Sequence, residues 1–243
     1  MHPQLRLLPS LLFYSGCVEE APALASRVNK ASRLSSLFPQ GPEVPRVLCH
    51  IAGREIRDGQ MDDMDGHFGE GSDKAQLDIT NPSEADKVVE VIERIFHHCA
   101  DPGEVMVVTP YETQRALIQQ RLEASKVRHL VHTSALRVCG LQDALSQSAD
   151  FVIISTVRSV VSSKAITQPS QRWVKDHLGI LADHRLLSFF LTSAKHGLFI
   201  IGNMEVLGVD CLWRQVTQFF KDTACFTVAE SWPTLESQRY ATG

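Results

Sequence analysis

Three short runs constrain this chain more than anything else in it: VMVV at 105–108, FVIISTV at 151–157 and GLFII at 197–201. A strand with one wet face alternates apolar and polar residues. A strand apolar at nearly every position needs cover on both faces, which is the situation of a parallel sheet flanked by helices. RVLCHI at 46–51 is a fourth such strand, and the β-rich stretch 133–138, broken at its start by His132, Thr133 and Ser134, is a fifth. The sequence therefore predicts strands near 46–51, 104–109, 133–138, 151–157 and 197–201.

Between these runs the apolar period changes from two or less to three and four. After Asn81-Pro82, with Glu84 three residues past the asparagine, come Val88, Val89, Val91, Ile92, Ile95 and Phe96. Asn at the cap, Pro at the first helical position and Glu at the third make a capping box, so a helix is expected over 83–98. Further helices are expected over 111–123, 183–195 and 212–220, and a short one over 3–14, broken near Pro9 and ending at Gly16. Residues 17–45 and 159–178 read as connectors, the latter with Pro169 and Trp173. The segment 52–80 reads as an acidic flexible loop, and 221–243 as a tail. Strands alternating with helices give an α/β fold with helices on both faces of a parallel sheet.

The 243 residues include 44 % apolar and 21 % charged side chains, enough for a core without staples. The net charge of −4 is the wrong sign for a domain that binds nucleic acid through bulk charge, so any such contact needs a local patch or a partner domain. The six cysteines contain no C-x-x-C pair, and His97-His98-Cys99 at a helix end points its side chains in different directions, so no metal is expected. Unpaired cysteines fit the cytosol or nucleus. No apolar run reaches the ~18–20 residues a membrane helix needs, and no signal-peptide core is visible, so no membrane is expected.

Motifs that carry chemistry are missing. Neither G-x-x-x-x-G-K-[ST] nor G-x-G-x-x-G occurs, and no apolar strand ends in an acidic pair for Mg²⁺. No serine lies in a G-x-S-x-G turn, and His50 and His132 read as structural histidines.

Four blocks in order say more. The chain opens Met1-His2-Pro3, with Leu8-Pro9-Ser10 and Phe13-Tyr14-Ser15-Gly16 following. Val108-Thr109-Pro110-Tyr111 has Gln114 three residues on. Then comes Ile153-Ile154-Ser155-Thr156-Val157-Arg158-Ser159. The last block holds Leu178-Gly179, Asp183, Arg185, then Leu191-Thr192-Ser193-Ala194-Lys195-His196-Gly197 and Ile200-Ile201-Gly202-Asn203. In this order and spacing the chain, over residues 1–220, resembles the C-terminal RecA-like domain of superfamily 1B helicases, the group of the RNA-surveillance helicases. Within that group it looks nearest to the large zinc-finger helicases.

The resemblance implies the second domain of a P-loop NTPase-type motor, without the phosphate loop. In such a motor two RecA-like domains close on ATP and Mg²⁺ and together grip single-stranded RNA or DNA by its backbone. The first domain, in cis or in trans, brings the phosphate loop; the second brings arginines that offset charge on the γ-phosphate. ATP and Mg²⁺ are then expected only in the complete two-domain helicase. By resemblance Gln114, Arg185 and Lys195 face nucleotide, and Thr109, Pro110, Tyr111, Arg158 and Thr192 face nucleic acid.

The residues alone leave alternatives open at several of these. Thr109 could cap a helix with Pro110 at its first position, Arg158 could form an ion pair across the strand ends, and Arg185 reads as structural. Thr192 and Lys195, three apart, would share one face of a helix.

The departures fall at nucleotide positions. Where the family reads L-T-R-A-[KR], Ser193 stands at an arginine finger, and a short neutral hydroxyl cannot do what a guanidinium does. The opening Y-R-M-H-P block lacks its Arg here, since the sequence begins at Met1. The family's D-x-x-Q-G-x-E maps, ungapped from Asp150, with Leu145 at the Gln, Ser146 at the Gly and Ser148 at the Glu; Ser188 replaces the usual Asn. The expectation is a helicase-family motor domain with no catalytic residue of its own, inactive as an ATPase by itself. The alternatives are a degenerate nucleic-acid-binding or scaffold module, or a fragment of a longer helicase.

Overall fold

The computed structural model describes residues 1–19, 30–57, 79–99, 101–131, 133–159 and 170–232. Among the described residues eight strands are formed: β1 (Arg46–His50), β2 (Ile56–Arg57), β3 (Ile79–Thr80), β4 (Val105–Val108), β5 (Leu136–Cys139), β6 (Ala149–Ser155), β7 (Ala194–Gly202) and β8 (Phe226–Val228). Six of them make one parallel sheet in the order β5-β4-β6-β7-β1-β8, and β2 and β3 pair antiparallel as a separate ribbon. The helices are α1 (Pro3–Phe13), α2 (Pro82–His98), α3 (Glu112–Glu123), α4 (Leu141–Ala144), α5 (Gln171–Leu178), α6 (His184–Thr192), α7 (Met204–Leu207) and α8 (Cys211–Asp222).

The double-sided cover that the apolar runs demand is present. Successive side chains of a strand point to opposite faces. Leu48, Met106, Val108, Val152, Ile154, Leu198 and Ile200 therefore meet Leu5 and Leu8 of α1, Leu187, Phe190 and Leu191 of α6, and Trp213, Val216 and Phe220 of α8. Their neighbours Val47, Cys49, Val105, Val107, Phe151, Ile153, Phe199 and Ile201 meet Val88, Val91, Ile92 and Ile95 of α2, with Ile118 and Leu122 of α3. Each such side chain, fully buried, contributes roughly 1.5–3 kcal/mol, which is why both layers persist without any disulfide among the six cysteines.

Several expectations need correction. The helix expected over 183–195 ends at Thr192, because the Ser193 carbonyl accepts the Ala149 N–H at 3.2 Å and Ala194 already pairs with Ala149. Strand pairing thus takes Lys195 off the helix, and Thr192 and Lys195 share no helical face. The strand expected from 133 starts at Leu136, after a 3₁₀ turn at Arg128–Leu130. The connector at 159–178 contains α5, capped by Ser170, whose hydroxyl accepts the Trp173 N–H. The connector at 17–45 carries a 3₁₀ segment, Lys30–Leu37, whose Ala31, Leu34 and Leu37 are buried. Helix α1 runs through Pro9 without breaking, since Leu5, Leu8 and Pro9 are buried together; packing outweighs the lost backbone bond. Beyond residue 220 the chain is not a tail throughout: β8 closes the sheet beside β1. Of the acidic segment only its ends are described, as the β2–β3 ribbon, and residues 58–78 lie outside the described residues, as does His132.

Candidate ligand edge of the sheet

In a parallel sheet the loops leaving the carboxyl ends of the strands lie along one edge, where doubly wound folds place ligands. Thr109, Pro110 and Tyr111 leave β4 there, and Thr156 to Ser159 leave its neighbour β6. All of Thr109, Pro110, Tyr111 and Arg158 are buried. The helix-cap alternative for Thr109 does not hold: α3 is capped at Tyr111, and Thr109 Oγ1 accepts the Tyr111 N–H at a long 3.5 Å. Tyr111 packs with Ile79 and Val157 in a small apolar cluster apart from the main core. Burial pushes its phenol up to about 12, and the adjacent Arg158 guanidinium pulls the other way.

Val157 has φ +68°, and the Arg158 N–H donates to the Thr156 carbonyl at 2.7 Å. This is a γ-turn of the rare positive-φ kind, centred on a β-branched residue, a combination that is strained. Both peptide groups of Val157 are held. Its N–H donates to Glu84 Oε2 at 2.8 Å, and its carbonyl accepts from Asn81 Nδ2 at 3.1 Å. The Ser155 hydroxyl donates to the same Glu84 oxygen at 2.8 Å. Burial pushes the Glu84 carboxyl up to about 8, against the Val157 and Ser155 hydrogen bonds that favour its charged form.

The capping box therefore closes by only one half. Asn81 Oδ1 accepts the Glu84 N–H at 3.2 Å, but the Glu84 carboxylate does not return to the Asn81 N–H. That N–H goes to Gln114 Oε1 at 2.8 Å, while Gln114 Nε2 donates to the Asn81 carbonyl at 3.2 Å and to Ser155 Oγ at 3.1 Å. Gln114 is fully buried and its amide is spent inside the protein. Thr156 completes the anchoring: its N–H and hydroxyl both donate to the Ile201 carbonyl, at 3.1 and 3.2 Å. Gly202 makes that approach possible, because a Cβ there would lie 1.8 Å from Thr156 Oγ1.

Arg158 forms the ion pair that the residues alone allowed, with Nε 3.2 Å from Glu55 Oε2. Glu55 also accepts the Ser159 N–H at 2.9 Å and pairs with Arg57 at 2.9 Å. A second guanidinium nitrogen of Arg158 donates to the Asp176 carbonyl of α5 at 3.3 Å, and Asn203 Nδ2 donates to Ser159 Oγ at 2.9 Å. Asn81 and Glu84 were legible as a cap but not as the clamp on Val157. Glu55 carried no signal within its acidic segment.

The remaining site residues lie elsewhere. Thr192 and Lys195 flank the amino end of β7, at the opposite edge of the sheet; Thr192 Oγ1 donates back to the Ser188 carbonyl at 2.7 Å, and Lys195 is half-buried. Ser193 is buried, its hydroxyl donating to the Phe190 carbonyl at 3.2 Å. The His2 N–H donates to the Lys195 carbonyl at 2.7 Å, which brings the first and fourth sequence blocks together. Ser146, at the position matched to a glycine, has φ +68°, and Leu145 before it is exposed. Arg185 is exposed at the start of α6, paired with Asp183 at 2.8 Å.

His50 accepts the Met204 N–H at 3.1 Å, a structural role as expected. Among the described residues one group has metal-ligand chemistry within 4.8 Å, His184, Asp210 and Cys211, though Asp210 already caps α8 and pairs with His184. No helix among the described residues is long and apolar enough to cross a membrane.

Comparison with known proteins bears on the family of the chain. The family described as "AAA domain" matches residues 1–205. A regulator of nonsense transcripts 1 homolog of Neurospora crassa is 28 % identical over 93 % of the chain, which covers 18 % of that protein. The ATP-dependent helicase NAM7 of Saccharomyces cerevisiae is 26 % identical over 93 % of the chain, covering 20 % of the helicase. The 3'-5' exoribonuclease HELZ2 of Mus musculus is 31 % identical over 90 % of the chain, covering 7 % of its length. The chain thus spans a fifth or less of each of these relatives.

Proposed function

Because the chain belongs to the AAA domain family, as a domain of the superfamily 1B, RNA-surveillance type of helicase, we propose that it works as the second motor domain of an ATP-dependent RNA or DNA helicase. The observation that carries this reading is the convergence of two separate blocks, Thr109–Tyr111 and Thr156–Ser159, on neighbouring strand ends β4 and β6. Single-stranded nucleic acid lies against that edge, held by its backbone. Since Thr109–Tyr111 and Thr156–Ser159 are all buried, they shape the edge, and the surface adjoining these loops makes the contact.

ATP and Mg²⁺ bind between this domain and a first RecA-like domain, supplied in cis or in trans, with Lys195 and Arg185 on this side. The chain by itself does not hydrolyse ATP: its sequence has no phosphate loop, and Ser193 replaces an arginine finger. Ser146 in a left-handed conformation supports the ungapped match that also puts Leu145 in place of a glutamine. These changes favour, as a second reading, a non-catalytic nucleic-acid-binding module.

The test measures phosphate release and ssRNA binding by the purified 243-residue chain. Weak, salt-sensitive, sequence-independent binding is expected, since only backbone contacts are involved, with no ATP turnover above background. RNA-stimulated turnover would overturn the inactivity, and tight base-selective binding at high salt would overturn the mode of contact.

A further inference from the structure

We propose that Asn81 and Glu84 are positioning residues for the ligand edge: they hold Val157 in its left-handed turn and thereby set the backbone that carries Arg158 and Ser159. The inference rests on the nucleic-acid reading of that edge, but it makes claims of its own.

Strain is the starting point. A non-glycine residue at positive φ costs on the order of 1–3 kcal/mol and persists only where its surroundings over-determine it. Val157 is a poor choice for such a turn, yet it is buried and fixed from both sides. Its N–H is held by Glu84 Oε2 and its carbonyl by Asn81 Nδ2, so rotation out of the turn breaks two bonds at once.

Capping does not explain the choice of Asn81. Asp, Ser and Asn cap a helix about equally well. Here the other end of the amide is used as well, donating to the carbonyls of Val157 and Gly53 and to Glu84 Oε1. Neither aspartate nor serine offers an N–H₂ group for that purpose. The fit is close, since a Cβ on Gly53 would stand 2.4 Å from Asn81 Oδ1. Gln114 brackets both backbone groups of Asn81, so the clamp is rigid before it reaches Val157. What the clamp presents is the next two residues, where Arg158 and the Ser159 N–H converge on Glu55.

The experiment uses the full chain with Asn81→Ser, Glu84→Gln, Val157→Gly and the pairwise combinations with Val157→Gly. Asn81→Ser retains a helix cap and removes the donor. Amide hydrogen exchange at Arg158 and binding of a labelled oligouridylate are both followed, with circular dichroism as a check on folding. Releasing strain of this size corresponds to roughly a ten- to hundredfold change. Exchange at Arg158 should accelerate by about that factor in Asn81→Ser and Glu84→Gln, with oligouridylate binding weakened in parallel. Glycine adopts positive φ unaided, so adding Val157→Gly should return much of the lost binding. Unchanged exchange at Arg158 in Asn81→Ser would overturn the proposal, as would lost binding that Val157→Gly does not recover. If the wild-type chain binds no oligouridylate, the nucleic-acid reading fails, and the exchange arm alone decides the clamp.

Discussion

Burial of Glu84 makes the stability of this domain depend on pH in a direction opposite to that of most carboxylates. The carboxyl is fully buried, and desolvation raises it from an ordinary 4.5 to about 8. Below pH 4.5 the group is protonated both folded and unfolded and adds no pH dependence. Between 4.5 and 8 the unfolded chain gives up the proton while the folded chain keeps it, so stability falls as pH rises; above 8 the loss is complete. One pKa unit is about 1.4 kcal/mol, so the whole window spans on the order of 4–5 kcal/mol. The groups facing Glu84 are the donors Ser155 Oγ, the Val157 N–H and Asn81 Nδ2, with Glu55 as a further negative charge. Glu84→Gln removes the titration but turns an amide N–H₂ toward donors, a contribution of roughly 1–3 kcal/mol against the variant that does not change with pH. Urea denaturation of wild type and Glu84→Gln at pH 5, 6, 7 and 8 separates the two effects, because all other titrations cancel in the difference. The wild-type advantage should fall steadily from pH 5, by roughly 3–4 kcal/mol in all, and give way to an advantage of Glu84→Gln by pH 8. A difference that is flat, or that grows with pH, would refute the raised carboxyl and mean that its donors hold it ionised throughout.

Other positions give independent tests. Ser146→Gly should stabilise the fold by about 0.5–1 kcal/mol in the same urea assay, since glycine relieves a left-handed serine at the end of α4. Gly202→Ala should destabilise by about 1–3 kcal/mol through overpacking against Thr156 Oγ1, and Thr156→Ala in the same chain should recover part of the loss, giving a positive coupling in a double-mutant cycle. Arg158→Ala should cost about 3 kcal/mol by leaving Glu55 with less compensation in a buried setting, whereas Arg185→Ala, at an exposed pair, should change the urea midpoint little.

The sheet was readable because its evidence is local: apolar runs need two-sided cover, and that requirement reaches the layers of α1, α6 and α8 on one face and α2 and α3 on the other. The misplaced boundaries have a common cause. Thr192, Ser193 and Ala194 continue an acceptable helical pattern, and only the pairing of Ala194 with Ala149, on another strand, ends the helix there. Strand β8 was missed for the same reason, since Phe226–Val228 is too short to be distinctive until β1 lies beside it. At the ligand edge, Asn81 and Glu84 could be read as a cap because a cap is a local device. Their second task, gripping Val157, joins residues more than seventy positions apart and has no periodic signature. The same holds for Glu55, which meets Arg158 and Ser159 across a separation of about a hundred residues.

Strand direction also separates the positions matched to the family into two edges of the sheet. At ~3.3 Å per residue, the seven residues of β6 put its two ends roughly 20 Å apart. Thr109, Tyr111, Val157 and Arg158 belong to the carboxyl ends of strands; Ser146, Ser193 and Lys195 flank the amino ends. The departures at Leu145, Ser146, Ser148 and Ser193 fall near the second edge, while the interlocked network of Asn81, Glu84, Glu55 and Gln114, the last matched to nucleotide by resemblance, lies at the first. The two edges also differ in how a substitution is felt. At the carboxyl edge the side chains of Asn81, Glu84, Gln114 and Thr156 are buried and hydrogen-bonded, so a change there propagates into Val157 and the sheet. At the amino edge the Ser193 hydroxyl bonds to the Phe190 carbonyl three residues back, its tie to Ala149 being made by the backbone, and Leu145 is exposed, so neither side chain holds a distant partner among the described residues. On the proposed reading, the positions at the amino edge, Leu145 and Ser193, can drift at small cost to the fold, whereas the carboxyl edge, Gln114 included, cannot change without cost to the structure that carries it.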